Sequence, residues 1–348
     1  MTTDTLSDVL RFVRLRGAVF YYLNCGVEWA AEAPPARDIA DAVMPGAEHV
    51  MEYHVITKGA GWAAMPGLQP VRLAAGDIVV FPHGDPHVMS SAPGLRPRRS
   101  GGHSERELTL ATRSDPKPIP IAYHSPTEFS VGKADFEAST NVVCGFLGCD
   151  LRPFNPLVAT LPRLLHLPAD ASGHWIAPVL EQAVEASQNQ RPGSGVLLER
   201  LSEMVFVDAV RRYVETLPEQ SRGWLAGLRD RYVGRALGLL HGEPAREWTI
   251  EELASEVALS RSALHERFVE LVGQPPMQYL TQWRMQLAAK LLRESKAPVA
   301  AIALEVGYDS EAAFSRAFKR VAGRPPAAWR RALEARPAPT GGAACEPR

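Results

Sequence analysis

The sequence predicts an α+β multidomain chain, with a small β-barrel on the N-terminal side, a helical stretch, and an all-α domain built from a repeated helical pair. Three observations predict it. Short β-rich runs separated by glycine and proline fill the stretch from Val19 to Val88. Two similar helical units follow one another between Thr249 and Trp329. Charge is also divided: residues 1–220 carry 19 Lys/Arg against 25 Asp/Glu, a balance of -6, and residues 221–336 carry 18 against 13, a balance of +5.

The 348 residues leave room for two or three domains, and the 46% hydrophobic content is that of a soluble globular protein. No apolar run approaches the ~20 residues that span a bilayer, and MTTDTLSDVLRFVRL lacks the parts of a secretion signal. A cytoplasmic protein without a membrane partner is therefore expected. Four cysteines, Cys25, Cys144, Cys149 and Cys345, are too sparse for a disulfide framework.

In chain order, VFYYL, HVMEYHVI and VRLAAGDIVVF have the spacing of an antiparallel sandwich or barrel. SSAPGLRPRRSGGHSE reads as a polar loop, and further strands are expected near 107–111, 119–123 and 141–147. Helical periodicity starts at Trp175. From Val196 to Thr216 it places Val196, Leu197, Leu201, Val205, Phe206, Ala209, Val210 and Tyr213 on one broad apolar side, to be covered by the barrel or by a second subunit. The expected division is 1–167 for the barrel, 168–220 for a helical dimerisation or linker region, 221–335 for the repeat domain and 336–348 for a disordered tail.

The repeat reads LASEVALSRSALHERFVELVGQPPMQY and then IALEVGYDSEAAFSRAFKRVAGRPPAAW. Ser260, Leu264, Phe268, Gly273, Pro275 and Pro276 recur fifty positions on as Ser310, Phe314, Phe318, Gly323, Pro325 and Pro326. Thr249 with Glu252 makes a capping box, and Ser260 caps the next helix. The units, about 249–273 and 298–323, have the form of helix-turn-helix readers. With Leu264, Phe268 and Leu271 inward, Arg261, Ser262, His265, Glu266 and Arg267 fall outward on the helix that would enter a major groove. In the second unit Glu311, Ala312, Ser315 and Arg316 are outward, with Lys319 and Arg320 placed for phosphates. Arg316 is the best base reader, since a guanidinium grips guanine through two bonds. The amphipathic helix 277–293 between the units turns Leu280, Trp283, Leu287 and Leu291 inward and holds the readers ~25 Å apart.

The combined pattern resembles the AraC-type transcription regulators: S-x-x-x-L-x-x-x-F, G-x-P-P-x-x-Y-L, W-R-M-x-x-A-x-x-L-L, I-A-x-x-V-G-Y, F-S-R-A-F-K-R and a second G-x-P-P, from Arg246 to Arg331. The resemblance implies two readers on one side of a promoter duplex and a separate domain that senses an effector or dimerises. RNA polymerase and a second copy of the chain are then further partners. Glu266 departs from the basic or amide side chain often found in its slot, and suits acceptance from cytosine or rejection of other bases.

Gly76 to His87 fits G-x5-P-x-G-x2-H and resembles the second cupin motif, which makes the expected barrel cupin-like. The first motif is not matched, since His49, Glu52 and His54 stand where a catalytic cupin has two histidines one residue apart and then a carboxylate. A sensing rather than catalytic barrel is expected, so no enzyme activity is assigned. His54 and His87 with Cys144 and Cys149 form a candidate Cys2His2 set for a divalent metal such as zinc. The other reading makes the histidines hydrogen-bonded barrel residues and the thiols small core side chains. His83 and His103 are weaker candidates. Two alternative functions remain at this level: a metal-dependent cupin enzyme tethered to a DNA-binding module, and a metal- or redox-sensing regulator.

Overall fold

The computed structural model describes residues 4–95, 121–125, 128–131, 139–169, 175–189 and 191–334. The expected strand at 107–111, His103 and the expected tail at 336–348 lie outside them. The chain forms two compact units that do not follow chain order. One contains Leu15–Cys149 with Pro162–Tyr213, and the other contains Met1–Arg14, Asp150–Leu161 and Val214–Gly342.

The first unit is sheet-rich. Its described strands are β1 (Arg16–Cys25), β2 (Ala30–Ala33), β3 (His49–Lys58), β4 (Ala60–Ala64), β5 (Val71–Ala74), β6 (Ile78–Phe81), β7 (His87–Ser90), β8 (Ile121–Ser125), β9 (Glu128–Val131), β10 (Thr140–Cys149) and β11 (Leu165–Leu167). They make two open sheets, of order β11-β6-β3-β10-β1-β9-β8 and β2-β7-β4-β5. One core cluster draws Ile56, Phe81 and Val142 from the first sheet and Ala31, Leu73 and Met89 from the second, so the sheets enclose a shared apolar interior.

Strand β3 is buried along nearly its whole length. Its sequence shows no polar alternation because both of its faces are covered. One faces the shared interior. On the other, Tyr53 reaches the buried Ser202 at 2.9 Å. Tyr53 lies flat over Gly145 of the paired β10, where a Cβ would meet the phenol ring at 2.4 Å.

Ser202 belongs to α4 (Ser194–Thr216), which with α2 (Ala36–Val43) and α3 (Ile176–Gln188) completes this unit's helices among the described residues. Along α4 the buried stripe runs through Leu198, Leu201, Val205, Phe206, Ala209 and Val210. Val196 and Leu197, expected on that stripe, are 60% and 47% exposed, and Met204 is exposed as well. The stripe is narrower than the apolar composition suggests, because only residues that follow one another at three- and four-residue steps share the buried side.

The helical unit has α1 (Thr5–Phe12), α5 (Trp224–Arg229), α6 (Arg231–Gly242), α7 (Ile250–Glu256), α8 (Arg261–Val272), α9 (Pro276–Glu294), α10 (Val299–Glu305), α11 (Glu311–Ala322) and α12 (Pro326–Glu334). The Gly-x-Pro-Pro repeats are stop-and-start signals. Gly273 and Gly323 end α8 and α11 at φ of 81° and 78°, and Pro276 and Pro326 open α9 and α12. Thr249 and Glu252 close a capping box, while Ser260 and Ser310 accept the N–H groups of Ala263 and Ala313.

On α9 the inward set differs in part from the sequence expectation. Leu280 and Trp283 are buried, but Leu287 and Leu291 are half-buried, and Met285, Gln286, Ala288, Ala289 and Leu292 are buried instead. The helix is covered on several sides, by the second repeat and by segments far away in sequence. Phe12 of α1 sets its ring edge on Trp283 at 5.0 Å, and the Gln286 amide accepts the Phe154 N–H and donates to the Phe12 carbonyl. An apolar period cannot reveal such a polar contact.

Candidate functional site

Two sets of side chains carry chemistry. On α8, Arg261, Ser262, His265, Glu266 and Arg267 are exposed, opposite the fully buried Leu264 and Phe268. On α11, Glu311, Ala312, Arg316, Lys319 and Arg320 are exposed and Ser315 is half-buried, opposite Phe314 and Phe318. The outward residues of each helix share one side because the inward ones recur at four-residue spacing.

The cations on the two helices differ in their surroundings. Arg261 donates to Glu251 at 3.0 Å. Arg267 places Nε and Nη2 on Oδ2 of Asp230 at 2.9 and 2.5 Å, while Oδ1 of the same carboxylate caps α6 through the Tyr232 and Val233 N–H groups. Arg267 therefore anchors α8 to the start of α6. Among the described residues Arg316, Lys319 and Arg320 have no acidic partner within salt-bridge distance, which leaves their charge available to a polyanion.

The second set lies in the sheet-rich unit. Glu52 and His54 are two apart on β3 and so share a face; Cys144 of β10 is directly across from His54, and His87 opens β7 in the other sheet. All four are buried, at 6%, 3%, 4% and 2% exposure respectively. The Nε2 atoms of His54 and His87 are 2.7 Å apart, with the Glu52 carboxylate oxygens 3.8 and 3.9 Å from them. Behind the rings, His54 Nδ1 lies 2.9 Å from Cys144 Sγ, and His87 Nδ1 donates to the Asp85 carbonyl at 2.9 Å. Phe81 stacks on His87 at 3.5 Å.

Burial favours the neutral form of each group. It pushes the Glu52 carboxyl up to about 8, the His87 imidazole down to about 4, His54 well below the usual histidine range and the Cys144 thiol well above the usual thiol range. The ionic forms of this set require a cation or another charged guest.

The structure thus brings His54, His87 and Cys144 together and leaves Cys149 out. CGFLGC is extended strand rather than a chelating turn, and an odd offset of five turns Cys149 to the opposite face, about 17 Å along the strand. Cys149 pairs in register with His49, whose Nε2 donates to the Pro82 carbonyl, and His83 is exposed. Glu52 joins the group from outside the expected Cys2His2 set. Its signal was the Glu-x-His spacing on a strand, which places both side chains on one face.

The chain matches a family model described as a cupin over residues 4–215, and one described as a helix-turn-helix domain over residues 253–332. It is 33% identical to a putative AraC-like transcription regulator of Streptomyces lividans over 94% of this chain and 98% of that one. It is 26% identical to the HTH-type transcriptional regulator AlkR of Acinetobacter baylyi over 91% and 95%. The DNA-binding domain of AdpA, solved in complex with a target DNA, is 31% identical over 32% of this chain and 99% of that one, with a TM-score of 0.30. No helix among the described residues is long and apolar enough to cross a membrane. With the cupin match spanning more than half its length and the Streptomyces relative aligned almost end to end, the chain belongs to the AraC-like transcription regulators, with a cupin domain followed by a helix-turn-helix domain.

Proposed function

We propose that this regulator reads an asymmetric promoter site with α8 and α11, and that its cupin domain adjusts the reading by taking up a small effector. One observation carries the DNA half: the buried Leu264 and Phe268 of α8 recur in α11 as the buried Phe314 and Phe318, while the exposed faces of the two helices differ. Matched interiors give the same docking geometry, and different exteriors give different base preferences. Arg316 reads a base edge, Lys319 and Arg320 hold phosphates, and Arg261, Ser262, His265 and Glu266 face a second stretch of groove, with Glu311, Ala312 and Ser315 completing the first. The 19 residues of α9 span about 28 Å, close to the ~34 Å of one DNA turn.

A pocket of about 130 Å³ in the cupin domain, lined by Glu32, Met65, Leu68, His87 and Leu95 among others, supports a small ligand. Exposed Val196, Leu197 and Met204 on α4 support a homodimer formed through that helix. A divalent metal such as zinc is the candidate cofactor, RNA polymerase a candidate further partner, and the cytoplasm the site of action. The names of the relatives favour a regulatory cupin domain over a catalytic one.

Footprinting of the full-length protein on promoter fragments tests this reading. Two protected segments on one face of the duplex, one helical turn apart and unlike in sequence, are expected. Protection independent of sequence would refute it.

A further inference from the structure

We propose that Glu52, His54 and His87 form a three-ligand site for a divalent first-row transition metal, and that Cys144 serves as the outer partner that orients His54 rather than as a ligand. This deepens the reading of the cupin domain as a sensor and rests on it. The site differs from the sequence-level Cys2His2 set at two of its four positions.

Convergence comes first. Three donors, all at least nine-tenths buried, present their ligating atoms to one point: two Nε2 atoms 2.7 Å apart, and two carboxylate oxygens within 3.9 Å of them. Around a tetrahedral ion with bonds of 2.0–2.1 Å, neighbouring ligand atoms lie ~3.3 Å apart. The imidazoles need to open by roughly half an ångström and the carboxylate to close by about as much, movements that side-chain rotation supplies.

Orientation is the second argument. A ligating histidine ordinarily engages its other ring nitrogen with an outer partner, which sets the tautomer and aims the lone pair. His87 donates from Nδ1 to the Asp85 carbonyl and is clamped against Phe81, which leaves Nε2 as the acceptor facing His54 and Glu52. His54 has Cys144 Sγ at its Nδ1, on the side of the ring away from Glu52 and His87. For Sγ to bind the same ion it would have to pass the imidazole ring. The thiol is therefore an outer-layer group.

The donor set defines the ligand class. Two imidazoles and one carboxylate suit zinc, iron(II), cobalt or manganese, and the absence of thiolate from the set disfavours copper(I). The ligands also come from both sheets, β3 of one and β7 of the other. A bound ion ties the sheets together, so metal occupancy and effector state become linked through the cupin interior.

The test is titration of metal-free, full-length protein with Co2+, read by absorption and by thermal melting. Equimolar binding is expected, with visible d–d bands, no intense sulfur-to-cobalt charge-transfer band in the near ultraviolet, and a raised Tm. Glu52→Gln and His87→Gln should each weaken Co2+ binding by at least tenfold. Cys144→Ser should keep the stoichiometry and the spectrum while weakening binding by about ten- to hundredfold. Near-ultraviolet circular dichroism of each metal-free variant matching the wild type shows that weakened binding is not misfolding, and where a variant does not fold the wild-type spectrum decides by itself. Absence of equimolar binding by the wild type, or unaltered binding by both ligand variants, overturns the site. A sulfur band lost in Cys144→Ser overturns the role given to the thiol. Footprinting is scored separately, so a failed DNA reading and a failed metal site are distinguishable.

Discussion

Arg267 of α8 closes on the carboxylate that begins α6: its Nε and Nη2 both bind Oδ2 of Asp230, whose other oxygen caps that helix. The guanidinium lies on a helix proposed to face DNA but is engaged within the protein. Arg267→Ala should cost about 1 kcal/mol of stability and leave base preference unchanged. Asp230→Ala should cost more, about 1–2 kcal/mol, because it also removes the α6 cap. Urea unfolding and binding-site selection decide this; an altered preference at one base position in Arg267→Ala would show it to be a reader.

Arg316 and Lys319 should separate by type of effect. Arg316→Ala is expected to weaken specific binding by about 1–3 kcal/mol and relax preference at one position. Lys319→Ala should weaken all sequences alike and reduce the salt slope by about one. Mobility-shift titrations at several salt concentrations measure both, and identical behaviour of the two variants would remove the distinction.

Gln286, 4% exposed, serves two backbone groups distant in sequence, the N–H of Phe154 and the carbonyl of Phe12. Gln286→Ala leaves both without this partner and should destabilise the protein by about 2–3 kcal/mol in urea unfolding. Unchanged stability would mean that water replaces the amide at no cost.

His241 stacks on Trp283 at 3.9 Å, and its Nε2 accepts from the Tyr279 hydroxyl, which itself accepts from Trp224. Asp8, the carboxylate near its Nδ1 at 3.9 Å, is itself raised by burial. Burial lowers His241 to about 3. The unfolded chain therefore takes up a proton below the ordinary histidine value of ~6.5 while the folded chain does not, so stability is full above that value and falls as the pH drops toward 3. The slope contributed is about 1.4 kcal/mol per pH unit. Urea unfolding between pH 6.5 and 5 should show a shallower decline for His241→Gln than for the wild type; parallel declines would exclude His241 as the source.

Met204 is 47% exposed on α4, on the same helix as the exposed Val196 and Leu197. Met204→Glu should shift the full-length protein from dimer to monomer in sedimentation while leaving the melting temperature of the cupin domain within about 2 °C, as for a surface substitution. A dimer that survives the charge places the contact elsewhere.

The helix-turn-helix units were legible in the sequence because their determinants are local. Leu264 and Phe268, or Phe314 and Phe318, define an inward face through a four-residue period. Thr249, Ser260, Gly273 and Pro276 mark ends through contacts within a few residues. Duplication then doubled every signal. Leu287 and Leu291 were harder, since α9 is covered on several sides and no single stripe describes it.

The cupin cluster was only half legible. The second cupin motif marks His87 and the strand pattern marks His54, but no motif marks Glu52, and the short spacing of Cys144 and Cys149 hides that strand pleating separates them. By itself the sequence determined the two helix-turn-helix units, their caps and the outward position of Arg316, because helix formation and capping act over three or four residues. Only the tertiary structure decided that Glu52, His54, His87 and Cys144 meet, and that Phe12 and Phe154 share one glutamine of α9. Those meetings depend on strand register, on which sheet receives β7, and on the return of segments more than a hundred residues away, none of which a local period encodes.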